Sequence, residues 1–185
     1  MAQSNLDSLA HLEDAVLREV VREAERRLDA QLATATAADQ RATAWAAILV
    51  TAAVAITGAS AALLVNGKNL LLAAVGIVVA ALLGISLMRA IDVFRPKDWH
   101  FPGNSPRNWV PELWQCHGTG QPCNLRQATI EQAASLDEQI EDNAEAAKWA
   151  GEQLKFSMDL ALWAVALGVV AVGMILLAHL VGVPM

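Results

Sequence analysis

The residues with the most evident potential for chemistry lie close together in one segment. Cys116, His117 and Cys123, joined by His100, would offer nitrogen and sulfur donors to a metal ion. Zinc sites usually have two to four residues between paired cysteines, whereas six residues separate Cys116 from Cys123. The spacing therefore favours two ordinary thiols over a metal site. In an oxidising compartment, a disulfide between the two cysteines would be the better interpretation.

A second group of residues combines basic and aromatic side chains. Arg95 and His100 form an R-x4-H string similar to that of HEPN-type ribonucleases, but Pro96 disfavours the helix that this site needs. Alternatively, the basic residues would lie among lipid headgroups, with the aromatic rings at the membrane interface. A third interpretation is a pocket for an anion or a nucleotide. The candidate trigger or contact loop contains Arg95, Lys97, Trp99, His100, Arg107 and Trp109.

The sequence contains no other arrangement typical of catalysis. It has no glycine-rich phosphate loop, no paired histidines at metal-binding spacing and no recognisable pairing of a nucleophile with a base. The net charge of −6 argues against general binding to nucleic acid. We therefore expect no enzyme, no metal, no cofactor and no direct contact with nucleic acid.

The composition indicates a membrane protein. Hydrophobic residues make up 55% of the 185 residues and charged residues only 17%, which excludes a disordered chain. The apolar residues form three blocks: 42–65 and 70–88, which are uncharged, and 160–185, where His179 is the only titratable side chain. A helix needs about 20 apolar residues to cross a bilayer, and each block meets that length. A soluble bundle would need polar faces, which these blocks lack.

Small and weakly polar residues recur within the blocks. Gly76, Ala80 and Gly84 are spaced four apart, a pattern that lets transmembrane helices approach closely. Hydroxyl side chains in the first two blocks, among them Ser86, would line a narrow pore or bond to carbonyls of their own helix. No Asp, Glu, Lys or Arg lies within a block, which argues against a proton-coupled transporter. The candidate pore or packing positions are Thr51, Thr57, Ser60, Gly76, Ala80 and Gly84.

Two amphipathic helices are predicted, one before the first block and one before the third. Apolar residues recur in both at intervals of three and four, and no proline separates either from its block. We therefore expect each helix to continue into the membrane, and the narrow stripes to pack on each other and on other copies. Ion pairs are expected between Glu19 and Arg22, and between Glu23 and Arg26 or Arg27.

These features divide the chain into five segments and predict an all-α integral membrane protein. Three transmembrane helices are expected, with two long cytoplasmic helices continuous with spans 1 and 3. The first helix is expected to begin at residue 5, and Asn66-Gly67 predicts a tight turn between spans 1 and 2. In order, the segments are an amphipathic helix at 1–41, a transmembrane hairpin at 42–91, an aromatic and proline-rich loop at 92–125, a second amphipathic helix at 126–158 and a third span at 159–185.

Basic residues predict the orientation. Twelve of the 13 lysines and arginines precede the first span or lie between the second and third, and only Lys68 lies at the hairpin tip. The positive-inside rule places the N-terminus and residues 92–158 in the cytoplasm and the C-terminus outside. Because the first 41 residues hold no apolar run, the first span is expected to act as its own insertion signal.

The layout as a whole resembles a known group of proteins. A charged helix leads through Asp39 and Arg41 into a two-span hairpin, an Arg-Pro-bearing loop follows, and a second long helix enters the last span. This order is similar to that of the small membrane effectors of bacterial anti-phage defence, of the SLATT and Pycsar types, and of membrane accessory proteins beside some CRISPR loci. The resemblance implies a homo-oligomer that permeabilises the bacterial inner membrane, triggered by a soluble defence-system partner or a nucleotide signal.

Two functions follow from these expectations. The first is an oligomeric inner-membrane pore or membrane-disrupting effector, whose acidic cytoplasmic helices would attract cations. The second is a non-conducting membrane-anchored adaptor that docks a soluble partner through those helices. Stoichiometry separates the two, because a conducting ring needs several copies around an axis.

Overall fold

The computed structural model describes residues 9–67, 69–103 and 125–181, and within them the regular structure is helical, without strands. The described elements are α1 (Asp14–Val65, 52 residues), α2 (Leu70–Phe94, 25 residues) and α3 (Leu125–Leu180, 56 residues). Each contains a stretch long and apolar enough to cross a membrane. The predicted all-α architecture with three apolar helices is confirmed for this part of the chain.

Helices α1 and α3 are each more than twice as long as a bilayer requires. Both begin in charged sequence and continue unbroken into an apolar block, as their lack of proline predicts. Helix α1 begins at Asp14 and not at residue 5, because residues 10–12 form a turn. In that turn the Leu12 N–H donates to the carbonyl of Leu9 at 3.1 Å.

The connection from α1 to α2 is a tight turn, as the Asn-Gly pair predicts. Gly67 has φ 62°, a left-handed conformation that costs glycine little because it has no Cβ. Asn69 has φ 52° and caps α2, with its side-chain oxygen accepting the Leu72 N–H at 3.4 Å. Lys68 lies outside the described residues.

Helix α2 extends six residues beyond Met88, where its uncharged block ends, to Phe94. Arg95 then adopts an extended conformation, with φ −60° and ψ 144°. The physical reason is Pro96, whose ring disfavours a helical conformation in the residue before it. Helix α2 therefore continues past Arg89 and Asp92 and does not end with the uncharged block.

The described residues form two compact units, each with its own core. The helix-pair unit is drawn from Met1–Thr36 and Lys97–Ala147. The three-helix unit is drawn from Ala37–Pro96 and Lys148–Met185, and it contains the apolar parts of all three helices.

In the helix-pair unit, the beginning of α1 packs along the beginning of α3. Leu17 clusters with Ile130, and Leu28 clusters further along with Leu136 and Ile140. Because the contacts advance toward the C-terminal end of both helices, the two segments run parallel. Buried positions on this part of α3 are three or four residues apart, which is the spacing of a coiled-coil seam.

Arg126 ties the beginning of α3 to the beginning of α1. Its guanidinium donates to the carbonyl of Ala10 at 3.0 Å, to the carbonyl of Leu12 and to the carboxylate of Asp14. Five donors in a planar fork let one arginine satisfy several acceptors. The turn that precedes α1 is therefore held against the neighbouring helix.

The predicted ion pairs on α1 are confirmed, with Arg26 as the partner of Glu23. The pairs join Arg22 to Glu19 at 2.7 Å and Arg26 to Glu23 at 2.5 Å. All four side chains are exposed, so each pair contributes no more than about 0.5 kcal/mol to helix stability. Apolar packing, and not these pairs, holds the unit together.

The core of the three-helix unit is built largely from small residues. Small side chains let transmembrane helices approach closely and gain dispersion contacts where lipid provides no hydrophobic driving force. A second cluster joins Ala42, Val93 and Ala150. The buried members of the main cluster are Ala46, Leu49, Val79, Leu83, Ala90, Ala161 and Ala164.

Candidate functional site

Gly76 allows α1 and α2 to approach closely in the three-helix unit. A Cβ atom at Gly76 would overlap Ser60 Oγ and lie 3.3 Å from Ser60 Cβ. Ser60 is buried, and its hydroxyl donates to the carbonyl of Ile56 at 2.8 Å. Two of the candidate pore or packing positions, Ser60 and Gly76, thus meet in a packing contact within one chain.

The other candidate positions in the spans have different surroundings. Thr51 and Thr57 are exposed, and their hydroxyls donate to carbonyls of α1 itself at 2.9 and 2.7 Å. Ala80 and Gly84 are half-buried, and a Cβ at Gly84 would meet nothing within 4 Å. Of the two glycines in the small-residue pattern of α2, Gly76 therefore packs closely against α1, whereas Gly84 has space for a side chain.

A buried hydrogen-bond cluster joins all three helices of this unit. Ser86 of α2 and Ser157 of α3 are fully buried, and each hydroxyl donates to the other's backbone carbonyl at 2.8 Å. The two hydroxyl oxygens lie 3.0 Å apart. The indole N–H of Trp45 in α1 donates to Ser157 Oγ at 3.0 Å. Each donor is satisfied, which a polar group needs in an apolar interior.

Sequence reasoning missed Ser157 as a member of this cluster. On the sequence alone, Ser86 is placed only among the hydroxyl side chains of the spans. A signal was present, because Ser157 continues the line of buried small residues on α3: Ala150, Ser157, Ala161, Ala164 and Ala171. A serine on the buried line of a transmembrane helix predicts a hydrogen bond to a neighbouring helix.

Within the described part of the chain, most residues in the apolar stretches of the three helices are not buried. In the most apolar 18-residue windows, only 11, 22 and 17% of the residues of α1, α2 and α3 are buried. The exposed faces of α2 and α3 carry large side chains such as Ile77, Met88, Leu162 and Val169. These faces match the chemistry of lipid acyl chains.

The exposed face of α1 differs from those of α2 and α3. The exposed residues between 42 and 65 are mostly alanine, glycine and threonine, although Ile48, Val50, Val54, Leu64 and Val65 are exposed as well. Six of the small residues fall on one side of the helix at spacings of three and four, a side that also carries Val54. Lipid-facing surfaces gain little from such small residues, whereas close helix–helix contacts require them. We call this surface the small face of α1, and it comprises Thr43, Ala47, Thr51, Ala55, Gly58 and Ala62.

In the helix-pair unit, Asn143 holds the beginning of the proline-rich loop. This side chain is 1% exposed; its oxygen accepts the His100 N–H at 3.0 Å, and its amide donates to the His100 carbonyl at 2.9 Å. The His100 ring lies 3.2 Å from a carboxylate oxygen of Asp142. The candidate loop residue His100 is therefore fixed to α3 through both its backbone and its ring, and Lys97 and Trp99 are half-buried beside it in the chain.

Arg95, which the R-x4-H string pairs with His100, has its own partner. Its guanidinium forms an ion pair with Asp92, one turn earlier in the chain, at 2.8 Å. Within the described part of the chain, no group of three or more His, Cys, Asp or Glu side chains is placed to hold a metal ion. The remaining candidates lie outside the described residues: Arg107 and Trp109 of the loop, and Cys116, His117 and Cys123.

The outer face of α3 in the helix-pair unit is strongly acidic. Six carboxylates occur within 15 residues, all of them exposed. Arg126 is the one basic residue of α3 up to Ala147, so this segment carries a net charge of −5. The acidic residues are Glu131, Asp137, Glu138, Glu141, Asp142 and Glu145.

Comparison with known proteins gives one family. The family model of the Pycsar effector protein domain matches residues 23–178, which include most of α1, the whole of α2 and nearly all of α3. No match was found among curated proteins or among solved structures. The match confirms the resemblance inferred from the order of helices and spans.

Proposed function

This chain belongs to the Pycsar effector family, membrane effectors of anti-phage defence, and we propose that it acts as an oligomeric inner-membrane pore or membrane-disrupting assembly. In this proposal several copies surround an axis in the membrane, and the assembly permeabilises the inner membrane of an infected cell. The chain carries out no catalytic step. Its partners are the lipid bilayer, other copies of itself and a trigger, either a soluble defence-system protein or a nucleotide signal.

The observation that carries the proposal is the contrast between the exposed faces of the spans. In the described part of the chain, few residues in the apolar stretches of the three helices are buried, and the exposed residues of α1 are small or hydroxyl-bearing to a larger extent than those of α2 and α3. Large residues on α2 and α3 suit lipid, whereas the small face of α1 suits another helix or a narrow aqueous axis. We therefore place the small face of α1 toward neighbouring copies.

The acidic face of α3 supports a preference for cations. Six exposed carboxylates on one side of a helix create a negative potential that raises the local concentration of cations. Repeated around an axis, such faces would form a vestibule that favours cations over anions. The proposal therefore includes cation-selective conduction.

The proposed orientation places the N-terminus and residues 92–158 in the cytoplasm, because the basic residues flank the spans on that side. Labelling of Cys116 and Cys123 in intact cells tests this. A membrane-impermeant thiol reagent should leave both cysteines unmodified until the cells are opened. Modification in intact cells would reverse the proposed orientation.

The first experiment measures the mass and shape of the detergent-solubilised protein by light scattering and particle imaging. A closed ring of several copies with an axial opening supports the proposal, and ion flux in liposomes is then measured. A monomer or compact dimer without an opening contradicts it.

Matched glycine variants test which face contacts other copies. Gly58 lies on the small face of α1 and Gly173 lies on α3, and a Cβ at either would meet nothing within 4 Å in the same chain. Both substitutions to Leu raise helix propensity by about 1 kcal/mol. Gly58→Leu should reduce oligomer mass and liposome flux, whereas Gly173→Leu should preserve both. Equal behaviour of the two variants contradicts the assignment of the α1 face.

An adaptor remains the second candidate, and a groove in the helix-pair unit favours it. The groove has an apolar lining that a partner helix could cover: Leu9, Val20, Ala24, Ala133, Ala134 and Ile140. An adaptor predicts a monomer or dimer that binds a soluble protein without ion flux. The mass measurement therefore separates the two functions.

A further inference from the structure

Arg89 in the three-helix unit has an unusual setting for a charged residue. It is the first charged residue after the uncharged block of α2, and it is exposed. Its guanidinium carbon lies over the ring of Phe156 at 5.5 Å from the centroid, and Nη1 donates to Gln153 Oε1 at 3.4 Å. The ring and the amide hold the guanidinium in place without neutralising its charge.

Arg95, close by on the same chain segment, shows the contrast. It is also exposed, but it forms an ion pair with Asp92 at 2.8 Å. In the part of the chain that the structure describes, no carboxylate pairs with Arg89. Among the described residues, Gln153 and the Phe156 ring are thus the contacts of the Arg89 guanidinium, and they use few of its five N–H donors.

The surface around Arg89 is aromatic and apolar. Trp149, Phe156 and Trp163 are seven residues apart on α3, so they form one stripe on a single face, and they are 44, 49 and 73% exposed. On α2, Met88 is 65% exposed next to Arg89. Exposed tryptophan beside a cation at the end of an apolar block is typical of the level at which lipid headgroups lie.

We propose that Arg89, positioned by Phe156 and Gln153, binds the phosphate of an anionic phospholipid at the membrane surface where α2 leaves the bilayer. Guanidinium is suited to phosphate because two parallel N–H groups can donate to two phosphate oxygens. The acyl chains of the same lipid lie along Met88 and the exposed apolar residues of α2. The site does not depend on pore formation, since all its residues come from one chain.

A lipid fits this surface better than a second copy of the chain. A second copy would have to supply a carboxylate at the membrane interface, and within four residues of the uncharged blocks the chain has three, Asp39, Asp92 and Asp159, of which Asp92 is already paired with Arg95. Anionic lipid is present at this level throughout a bacterial inner membrane, and each basic residue near such a surface contributes to binding. The contact with a second copy is kept as an outcome of the test.

The test is native mass spectrometry of the full chain in mild detergent. Phosphatidylglycerol and phosphatidylcholine with identical acyl chains are added separately, and the bound fraction per chain is compared. The wild type should prefer phosphatidylglycerol. Arg89→Gln should reduce that preference by about fivefold, the factor for one basic residue at an anionic surface. Arg95→Gln removes the same charge from an arginine that already has a carboxylate partner, and it should keep the preference.

Phe156→Leu provides a second variant in which the Arg89 charge remains but the ring that positions it is lost. It should reduce the preference in the same direction and by a smaller factor, and an unchanged preference would overturn the role of the ring. Equal losses in the Arg89 and Arg95 variants, or no loss in Arg89→Gln, would overturn the site. A fall in oligomer mass in Arg89→Gln with lipid preference intact would assign Arg89 to contact with a second copy. Displacement of the lipid by soluble glycerol phosphate at equal headgroup concentration would show a site for free phosphate and contradict the lipid proposal.

Discussion

Gly76→Ala should destabilise the three-helix unit, and Gly84→Ala provides the matched control. Both glycines lie in α2 and belong to the same pattern of small residues spaced four apart. Alanine raises helix propensity by about 1 kcal/mol at either position. The difference in stability between the two variants therefore measures the tertiary contact alone.

The magnitude follows from what the new methyl group meets. At Gly76 it would overlap Ser60 Oγ and lie 3.3 Å from Ser60 Cβ, whereas at Gly84 it meets nothing within 4 Å. Relief requires either rotation of Ser60, which breaks its 2.8 Å bond to the Ile56 carbonyl, or separation of α1 from α2. The first costs about 1 kcal/mol and the second about 1–3 kcal/mol. We expect Gly76→Ala to be about 1–3 kcal/mol less stable than Gly84→Ala.

The assay is reversible unfolding of the purified protein in mixed micelles, followed by loss of helical circular dichroism. A compensating substitution makes the test specific. Ser60→Gly removes both atoms that the new methyl group would meet, leaving Ile56 Cγ2 at 3.7 Å as an ordinary contact. Because glycine at position 60 has its own cost in helix propensity, the double variant Ser60→Gly, Gly76→Ala is compared with Ser60→Gly alone, and Gly76→Ala should cost no stability in that background. Equal stability of Gly76→Ala and Gly84→Ala, or the same loss from Gly76→Ala with and without Ser60→Gly, would refute the reasoning.

Three further predictions concern hydrogen bonds between segments that are far apart in the sequence. Ser157→Ala should lower the free energy of unfolding by about 1–3 kcal/mol, because it leaves the Trp45 indole N–H without its acceptor. Ser86→Ala should cost less, since Ser157 Oγ can still donate to the residue 86 carbonyl and accept from Trp45. Unfolding in micelles measures both variants, and a larger loss in Ser86→Ala would contradict the assigned hydrogen bonds. Asn143→Ala should increase amide hydrogen exchange in residues 97–103, because the His100 N–H and carbonyl both lose their partner. If the exchange of these residues is unchanged, contacts other than Asn143 hold the loop. Arg126→Gln should increase amide hydrogen exchange in residues 10–14, since three acceptors near the start of α1 lose a donor. Exchange around Leu28 should stay as in the wild type, and a uniform increase along α1 would contradict a local role of Arg126.

The surface charges of α1 illustrate what local sequence signals can predict. The pairing of Glu19 with Arg22 depends only on helical spacing, so the sequence predicted it, and the contact is present at 2.7 Å. The start of α1 was harder to predict. Residues 5–13 have helical composition, but residues 10–12 form a turn whose carbonyls bind Arg126, more than a hundred residues away in the chain. A contact over such a separation leaves no local signal.

By itself, the sequence determined the three apolar spans, the turn at Asn66-Gly67 and the order of helices that resembles the family, because each depends on composition or on neighbouring residues. Only the tertiary structure decided which small and polar residues meet. Gly76 and Gly84 are equivalent in the sequence pattern, but only Gly76 faces Ser60. The bond from Trp45 to Ser157 likewise joins residues 112 positions apart. Helical periodicity assigns a residue to a face, whereas the partner of that face depends on how separate helices pack.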